Sequence, residues 1–552
     1  MKKHPVLWTL KQIRNRIPAI FLMTAAHVGN ALLGVFFALG SRNVIDTAVS
    51  GDSGMFFRAC GIQAIIIIGI LLCLLVFRHL KDRLTADLDR DWKKRLVHGL
   101  LHGEYSEVSR YHSAELLNRL NNDVAKVNDG VLSIVPSGAA MLTRLGAAVA
   151  VLGALDLRFT LLIALLGMAA IGATGLMRRY LKDLNKQVSE HDGRVSGYLQ
   201  ETMEKLLMVQ AMDVSQEVER RTGDLLSDRY DIQRKRKNLS LLSNLAVSIM
   251  VYGAGFLALV WCAGKLLRGQ MSFGTLTAVI QLVNQLQSPF VNLSGVLPKY
   301  MAMIASAERL MELEDIQGQP EPSMENPLDI YREMTAIRGE ALSFAYDRDQ
   351  ILRDASFTIP KGTFVAVTGS SGMGKSTLLK LLLGVFRQET GKMWMDTAEG
   401  NVPLERSCRP LFAYVPQGNL LFSGTIRDNL TLIRPDATDQ ELDLALYVSA
   451  MDEFLPALPM GLDTPMGENG GGLSEGQAQR LAIARAVLGG APVLLLDECT
   501  SALDEETERK VLTRLRELPD RTCLAVSHRP AAMQICDMRL EICDGKINII
   551  QL

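Results

Sequence analysis

The stretch Gly369-Ser370-Ser371-Gly372-Met373-Gly374-Lys375-Ser376-Thr377 decides how the rest of the chain is read. An apolar, β-branched run from Phe364 to Thr368 precedes it, and Leu378-Leu379-Lys380-Leu381-Leu382-Leu383 follows it. The order is strand, glycine-rich turn, then the opening turns of a helix, which is the context of a P-loop. Glycines let successive backbone N–H groups turn inward onto an anion, and the helix N-terminus adds the positive end of its dipole. In that setting Lys375 reaches the β/γ-phosphates of a nucleotide and the Ser376 hydroxyl holds Mg²⁺. A glycine-rich loop can fit such a pattern by chance, so the reading depends on what lies downstream.

Downstream, Val493-Leu494-Leu495-Leu496-Asp497-Glu498 is a continuous apolar run ending in two carboxylates, as expected of a parallel strand buried on both faces. Asp497 is placed to anchor the Mg²⁺ shell, and Glu498 to act as the general base toward an attacking water. An acidic surface turn would not explain two carboxylates at the carboxyl edge of a buried strand, where open α/β sheets bind ligands. Gln417 follows a short strand ending at Val415-Pro416, and His528 follows the strand Cys523 to Val526. In this order both become candidates for sensing a γ-phosphate.

With 552 residues the chain is too long for one core, and its composition divides sharply. Uncharged runs dominate the first half and charges are interleaved through the second. Lys+Arg at 59 against Asp+Glu at 60 gives no global basic field, which argues against a nucleic-acid partner. The eight cysteines show no metal-ligand spacing and read as small buried hydrophobes in a reducing compartment.

Six apolar runs read as membrane crossings: 17–40, 59–77, 131–155, 159–177, 239–263 and 272–297. Each is near or above the roughly 20 apolar residues needed to cross the hydrocarbon. Lys2, Lys3, Lys11, Arg14 and Arg16 flank the first, and Arg234-Lys235-Arg236-Lys237 precedes the fifth. The long loops after the second and fourth runs carry most of the Arg and Lys, so the N-terminus, these loops and the C-terminal half are expected on the cytoplasmic side. Both loops keep helical periodicity, which predicts two long cytoplasmic helical hairpins.

Polar residues within the crossings mark a possible pathway. Thr277, Gln281, Asn284, Gln285, Ser288 and Asn292 recur at three- and four-residue spacings on one face of the sixth run. They either line a wet pathway or serve as interhelical hydrogen-bonding contacts. Arg144 in the third run is an ionisable group at costly depth, and His27 in the first is a weaker case. A linker rich in Pro and acidic residues runs from Glu314 to Leu328. The expected organisation is an all-α six-helix transmembrane domain over 1–313, a linker over 314–334 and an α/β P-loop NTPase domain over 335–552.

Leu473-Ser474-Glu475-Gly476-Gln477 upstream of Asp497 resembles the signature motif of ATP-binding cassette (ABC) transporters. Ser501-Ala502-Leu503-Asp504 is similar to their D-loop, Gln417 to their Q-loop, His528 to their switch histidine and Tyr346 to their adenine-stacking aromatic. Gly467-Glu468 resembles their X-loop. Arg119-Leu120-Asn121-Asn122-Asp123 and Glu308-Arg309-Leu310 are similar to the exporter-type (type IV) half-transporter, so essentially the whole chain is covered. The chain departs from the pattern at Glu475, where glycine is usual, and at Cys499, where alanine or proline is usual.

The resemblance implies ATP and Mg²⁺ as ligands. Nucleotide contacts fall on Tyr346, Gly369, Ser370, Ser371, Gly372, Gly374, Lys375, Ser376, Thr377, Gln417, Ser474, Gly476, Gln477 and Asp504. The metal falls to Ser376, Gln417 and Asp497, and catalysis to Glu498 and His528. Because one subunit's signature closes on the nucleotide of the other, it implies a dimer. Retention of Glu498, His528, Ser474 and Gly476 together favours a homodimer over a heterodimer. The expected activity is ATP-driven alternating-access export of a lipid, drug, peptide or other small amphipathic compound across a cell (inner or plasma) membrane. An importer built on the same fold and an ATP-gated channel or regulator are the alternatives.

Overall fold

The computed structural model describes residues 4–316, 327–346, 349–418, 421–467 and 470–552. Their side chains are described except at 166, 168–179, 182, 247, 287–295 and 297. The chain divides into two compact units, Met1–Gly99 with His112–Asp315, and Leu100–Tyr111 with Ile316–Leu552.

The first unit is built on long helices: Ile17–Ser50, Ser53–His102, Val124–Leu155, Leu157–Glu204, Ser215–Leu267 and Phe273–Asp315. Each of the six apolar runs falls on one of them, but the helices far outrun the apolar stretches. Charged residues end a run of hydropathy without ending a helix, because Lys, Arg and Glu propagate helix well. Among the described residues four helical stretches are long and apolar enough to cross a bilayer: Arg14–Ser50, Ser53–His102, Ser113–Leu155 and Ser215–Leu267.

The N-terminal helix Pro5–Gln12 is pinned to the end of the last long helix. Trp8 and Gln12 both donate to the Glu314 carboxylate, and Trp8 packs on Trp92 with ring centroids 5.1 Å apart. Arg16 pairs with Asp87 at 3.0 Å and Asp91 at 2.9 Å.

A second buried ionic cluster joins a π-helical turn, Arg119–Asp123, to the same long helix. Asp123 is 0% exposed and accepts from Arg309 Nε at 2.7 Å, Arg309 Nη2 at 2.6 Å and Ser306 Oγ at 2.9 Å. Arg119 donates to Glu115, to Glu312 at 2.9 Å and to the Arg309 carbonyl at 2.8 Å. Burial alone would push the Asp123 carboxyl up. The bonds from Arg309 and Ser306 outweigh it and hold the group below the usual carboxylate range. The residues that resembled exporter motifs are therefore a buried charge-paired clamp.

The first hairpin reverses between the helix Ser53–His102 and the helix that opens at Ser113. Its short helix is Tyr105–Val108. The second hairpin turns through the helix Leu206–Ala211, where Leu207 is 82% exposed.

The second unit holds two main sheets. The antiparallel one orders its strands Asp349–Pro360, Met334–Tyr346, Thr390–Thr397, Gly400–Pro403. The other orders Lys546–Gln551, Met538–Cys543, Phe364–Thr368, Thr522–Val526, Val493–Asp497, Phe412–Val415. All its pairings are parallel except the edge strand Lys546–Gln551. Phe364–Thr368, Thr522–Val526 and Val493–Asp497 are buried along their whole length, matching their unbroken apolar sequences.

Candidate functional site

Sheet register gathers the site. Val526 lies opposite both Val367 and Asp497, and Val415 lies opposite Leu496. Thr368-Gly369, Glu498, Ser527-His528 and Pro416-Gln417 therefore all leave the same carboxyl edge, where a parallel sheet presents its ligand crevice.

The phosphate loop follows the strand Phe364–Thr368 and opens the helix Lys375–Leu382. Gly369 has φ 143° and Gly374 φ 100°; a Cβ at Gly369 would stand 2.5 Å from the Ile542 carbonyl, and at Gly374 2.4 Å from Ile351 Cγ2. Only glycine fits either place. Lys375 is buried and its Nζ donates to the carbonyls of Gly369 at 2.7 Å and Ser370 at 3.2 Å, so the cation spans the mouth of its own loop. Ser370, Ser371 and Gly372 are exposed on the loop, while Thr377 is buried and donates to the Tyr346 hydroxyl at 3.4 Å.

Ser376 Oγ donates to Asp497 Oδ1 at 2.9 Å. A hydroxyl and a carboxylate oxygen held side by side at the loop suit a hard cation that takes its remaining ligands from phosphates and water, so the residues present fit Mg²⁺. Among the described residues no cluster of three or more His, Cys, Asp or Glu could hold a metal alone. Sequence reading missed Tyr414, whose hydroxyl donates to the other oxygen, Asp497 Oδ2, at 3.0 Å. Burial first, then the neighbouring Asp497 charge, pushes the Tyr414 phenol well above its usual value, so it stays a donor.

Glu498 takes a left-handed backbone, φ 50°, which a non-glycine residue adopts at a cost of roughly 1 kcal/mol and which recurs where function dictates geometry. Its N–H bonds the Val526 carbonyl at 3.2 Å, and its carboxylate accepts from Gln417 Nε2 at 2.7 Å. The structure thus joins Gln417 to the expected base. His528 sits exposed at the end of the neighbouring strand. The loop carrying it is tied back by Arg529, which donates to the carbonyls of Ser501 at 2.7 Å and Leu503 at 2.6 Å and pairs with the fully buried Glu508 at 3.1 Å. Cys499 is a packed thiol, pushed by burial up to about 12, and fills the small apolar position beside Glu498.

Ser474 caps the helix Glu475–Leu488 in a capping box with Gln477. A Cβ on Gly476 would meet the Ala502 carbonyl at 2.9 Å, so the signature and the turn 501–504 lie against each other. Gln479 bridges them further, to Ser501 Oγ and the Ala502 N–H, both at 3.0 Å. Asp504 accepts from the Thr507 N–H at 2.9 Å as a helix cap, and these bonds hold its carboxyl low. Among the described residues no hydrogen bond joins Ser474–Gln477 or Asp504 to the phosphate loop of the same chain. Glu468 lies outside the described residues.

Of the pathway residues, Gln285 donates to the Gly34 carbonyl at 2.7 Å, an interhelical contact. His27 stacks on Phe77, ring centroids 4.3 Å apart. Arg144 and Gln281 are half-buried and Asn284 is exposed. The side chain of Asn292 lies outside those described.

A phosphate-gripping loop, a paired serine and aspartate and a following glutamate at one sheet edge, fused to a bundle of long apolar helices, define an ATP-driven membrane transporter. Two family models match: the ABC transporter transmembrane region over residues 17–290 and the ABC transporter over 352–501. The chain is 30% identical over 447 residues to the ATP-dependent lipid A-core flippase of Photobacterium profundum, covering 79% of this chain and 74% of that protein. It is 28% identical to the mitochondrial potassium channel ATP-binding subunit of Pongo abelii, over 88% of this chain and 68% of that one. A bacterial Atm1-family ABC exporter with ATP bound shares the fold with TM-score 0.79 at 23% identity, covering 98% of this chain and 95% of that one. This chain belongs to the ABC transporter family. It is a multi-pass membrane protein of exporter type that binds ATP and couples its hydrolysis to transport.

Proposed function

We propose that two copies of this chain form a homodimer in a cell membrane, with domains 1–313, 314–334 and 335–552. Two ATP molecules are sandwiched between the phosphate loop of one copy and the Ser474–Gln477 signature of the other. The observation that carries this reading is the separation within one chain: a complete phosphate loop with its base, and a capped signature helix hydrogen-bonded to the 501–504 turn but, among the described residues, to no part of that loop. The N-terminus and cassette are cytoplasmic, consistent with the basic flanks of the crossings.

In this reading Lys375 leaves the loop carbonyls for the β/γ-phosphates, and Tyr346 stacks on the adenine. Ser376, Gln417 and Asp497 hold Mg²⁺, which neutralises phosphate charge when bound. Glu498, oriented by Gln417, accepts the proton of the attacking water, and His528 contacts the γ-phosphate. Gly476 and Gln477 of the opposing signature, with Asp504 nearby, close the second face. Closure of the cassettes turns the cavity outward and hydrolysis resets it.

The cargo is an amphipathic compound, in keeping with the lipid A-core named for the Photobacterium relative. Asn284, which is exposed, and Arg144 and Gln281, which are half-buried, are its polar contacts. The Pongo relative's channel role keeps an ATP-gated regulator as the second reading, but the chain retains the carboxylate Glu498, which repeated turnover needs and gating does not. Glu498→Gln tests the assignment: nucleotide binding should persist while turnover falls to background. Hydrolysis at the wild-type rate would remove Glu498 from its role.

A further inference from the structure

The segment Leu100–Tyr111 belongs to the same compact unit as the cassette, and its Tyr105 reaches the aromatic cluster around Tyr346. Tyr105 opens the short helix Tyr105–Val108, and its ring meets Phe386 edge-on, centroids 5.8 Å apart at 72°. Phe386 in turn meets Tyr346 at 5.3 Å and 88°, and Phe344 closes the cluster at 4.9 Å from Tyr346 and 5.5 Å from Phe386. These are the offset and edge-to-face geometries that aromatic pairs prefer.

Phe386 is nearly buried, whereas Tyr105 and Tyr346 are 50% and 38% exposed. The middle ring is therefore fixed and the two outer rings lean on it. Phe386 is fixed from the phosphate side: its N–H reaches the Lys380 carbonyl at 3.4 Å, in the helix that Lys375 opens. The tip is held in place by Arg387 paired with Glu104 at 3.3 Å and by Arg406 donating to the His102 carbonyl at 2.9 Å. Tyr105 and Tyr346 also line one cavity of about 740 Å³, so close packing on that side locks neither ring.

We propose that Tyr105 is a positioning residue for the nucleotide base: through Phe386 it sets the orientation in which Tyr346 receives the adenine. The inference rests on the reading of Tyr346 as the base platform. Tyr105 makes no contact with ATP itself. Because the segment continues the helix Ser53–His102, any displacement of that helix end changes how well the base is received. By reciprocity, a bound base biases where the segment sits.

The test uses the full chain in lipid nanodiscs and compares ATP with ribose triphosphate lacking a base, reading KM and kcat for each. Loss of one edge-to-face pair corresponds to about 2- to 10-fold in affinity. Tyr105→Ala should raise KM for ATP by that factor while leaving KM for the base-free triphosphate unchanged, and Tyr105→Phe, which keeps the ring, should restore the ATP value. Tyr346→Ala serves as the reference and should show the same base dependence, larger. If Tyr105→Ala leaves KM for ATP unchanged, or raises both KM values equally, the relay is overturned while a base-dependent Tyr346→Ala leaves the platform standing. If Tyr346→Ala itself shows no base dependence, platform and relay fall together.

Discussion

Asp123 and Arg309 make an asymmetric pair, and the asymmetry predicts which single substitution does more harm. Asp123 is wholly buried, whereas the Arg309 side chain is 40% exposed. Removing the arginine leaves a carboxylate in the protein interior with Ser306 at 2.9 Å and Lys126 at 3.8 Å as its remaining partners. Breaking a buried pair in that direction costs about 3–5 kcal/mol. Removing the aspartate leaves a guanidinium that water can reach, so Asp123→Ala should cost less, about 1–3 kcal/mol for the lost charged hydrogen bonds. The double variant Asp123→Ala/Arg309→Ala should lie near Asp123→Ala alone, because the two positions share one interaction, so the coupling should be about as large as the Arg309→Ala cost itself, about 3–5 kcal/mol. Thermal unfolding of the four proteins in one detergent, followed by tryptophan fluorescence, gives the ranking directly. Additive single effects, or Asp123→Ala as the more damaging change, would refute the argument.

The same carboxylate gives a pH dependence. Its folded-state value lies below its unfolded one, so its contribution is fully present above the unfolded value of about 4 and is lost as pH falls through the folded value. Asp123→Asn should therefore be less stable at neutral pH yet show a shallower loss below about pH 4, measured by unfolding midpoints across pH. Tyr414→Phe removes the donor to Asp497 Oδ2 and should raise the Mg²⁺ concentration needed for half-maximal hydrolysis about 10- to 100-fold, as loss of a ligand-orienting partner does; an unchanged Mg²⁺ titration would count against that role. Gly374→Ala forces a Cβ to within 2.4 Å of Ile351 Cγ2 at φ 100° and should abolish ATP binding in a filter or fluorescence assay, while Gly372→Ala, whose Cβ meets nothing within 4 Å, should lose less.

Local chemistry was readable from sequence, and cross-strand chemistry was not. Gly369 to Thr377 and Val493 to Glu498 announce themselves because each is a continuous strand and its immediate exit, so type and spacing carry the whole signal. Tyr414 touches Asp497 only because Phe412–Val415 lies parallel to Val493–Asp497, a register no single stretch encodes. Phe386 is likewise one apolar residue after a helix until the fold puts it between Tyr105 and Tyr346. Hydropathy located the apolar runs but stopped at charges such as Arg78 and Lys81, where the helix Ser53–His102 continues unbroken. The turn at Tyr105 is hidden for the same reason: polar periodicity on both sides conceals where a hairpin reverses. Gln285, on the polar face of the last crossing, bonds the Gly34 carbonyl, so a polar stripe alone does not separate a lining residue from a packing one.

Composite sites shared by two copies can be measured by mixing two inactive chains. Lys375→Ala disables the phosphate loop and Ser474→Arg the signature, so each alone should form an inactive dimer. A mixed dimer pairs the intact loop of one with the intact signature of the other. The account predicts that hydrolysis returns on mixing and peaks near equal amounts, reaching roughly half the wild-type rate per mixed dimer because one of its two sites is whole. Ser474→Arg retaining wild-type hydrolysis on its own, with no gain at any mixing ratio, would contradict it.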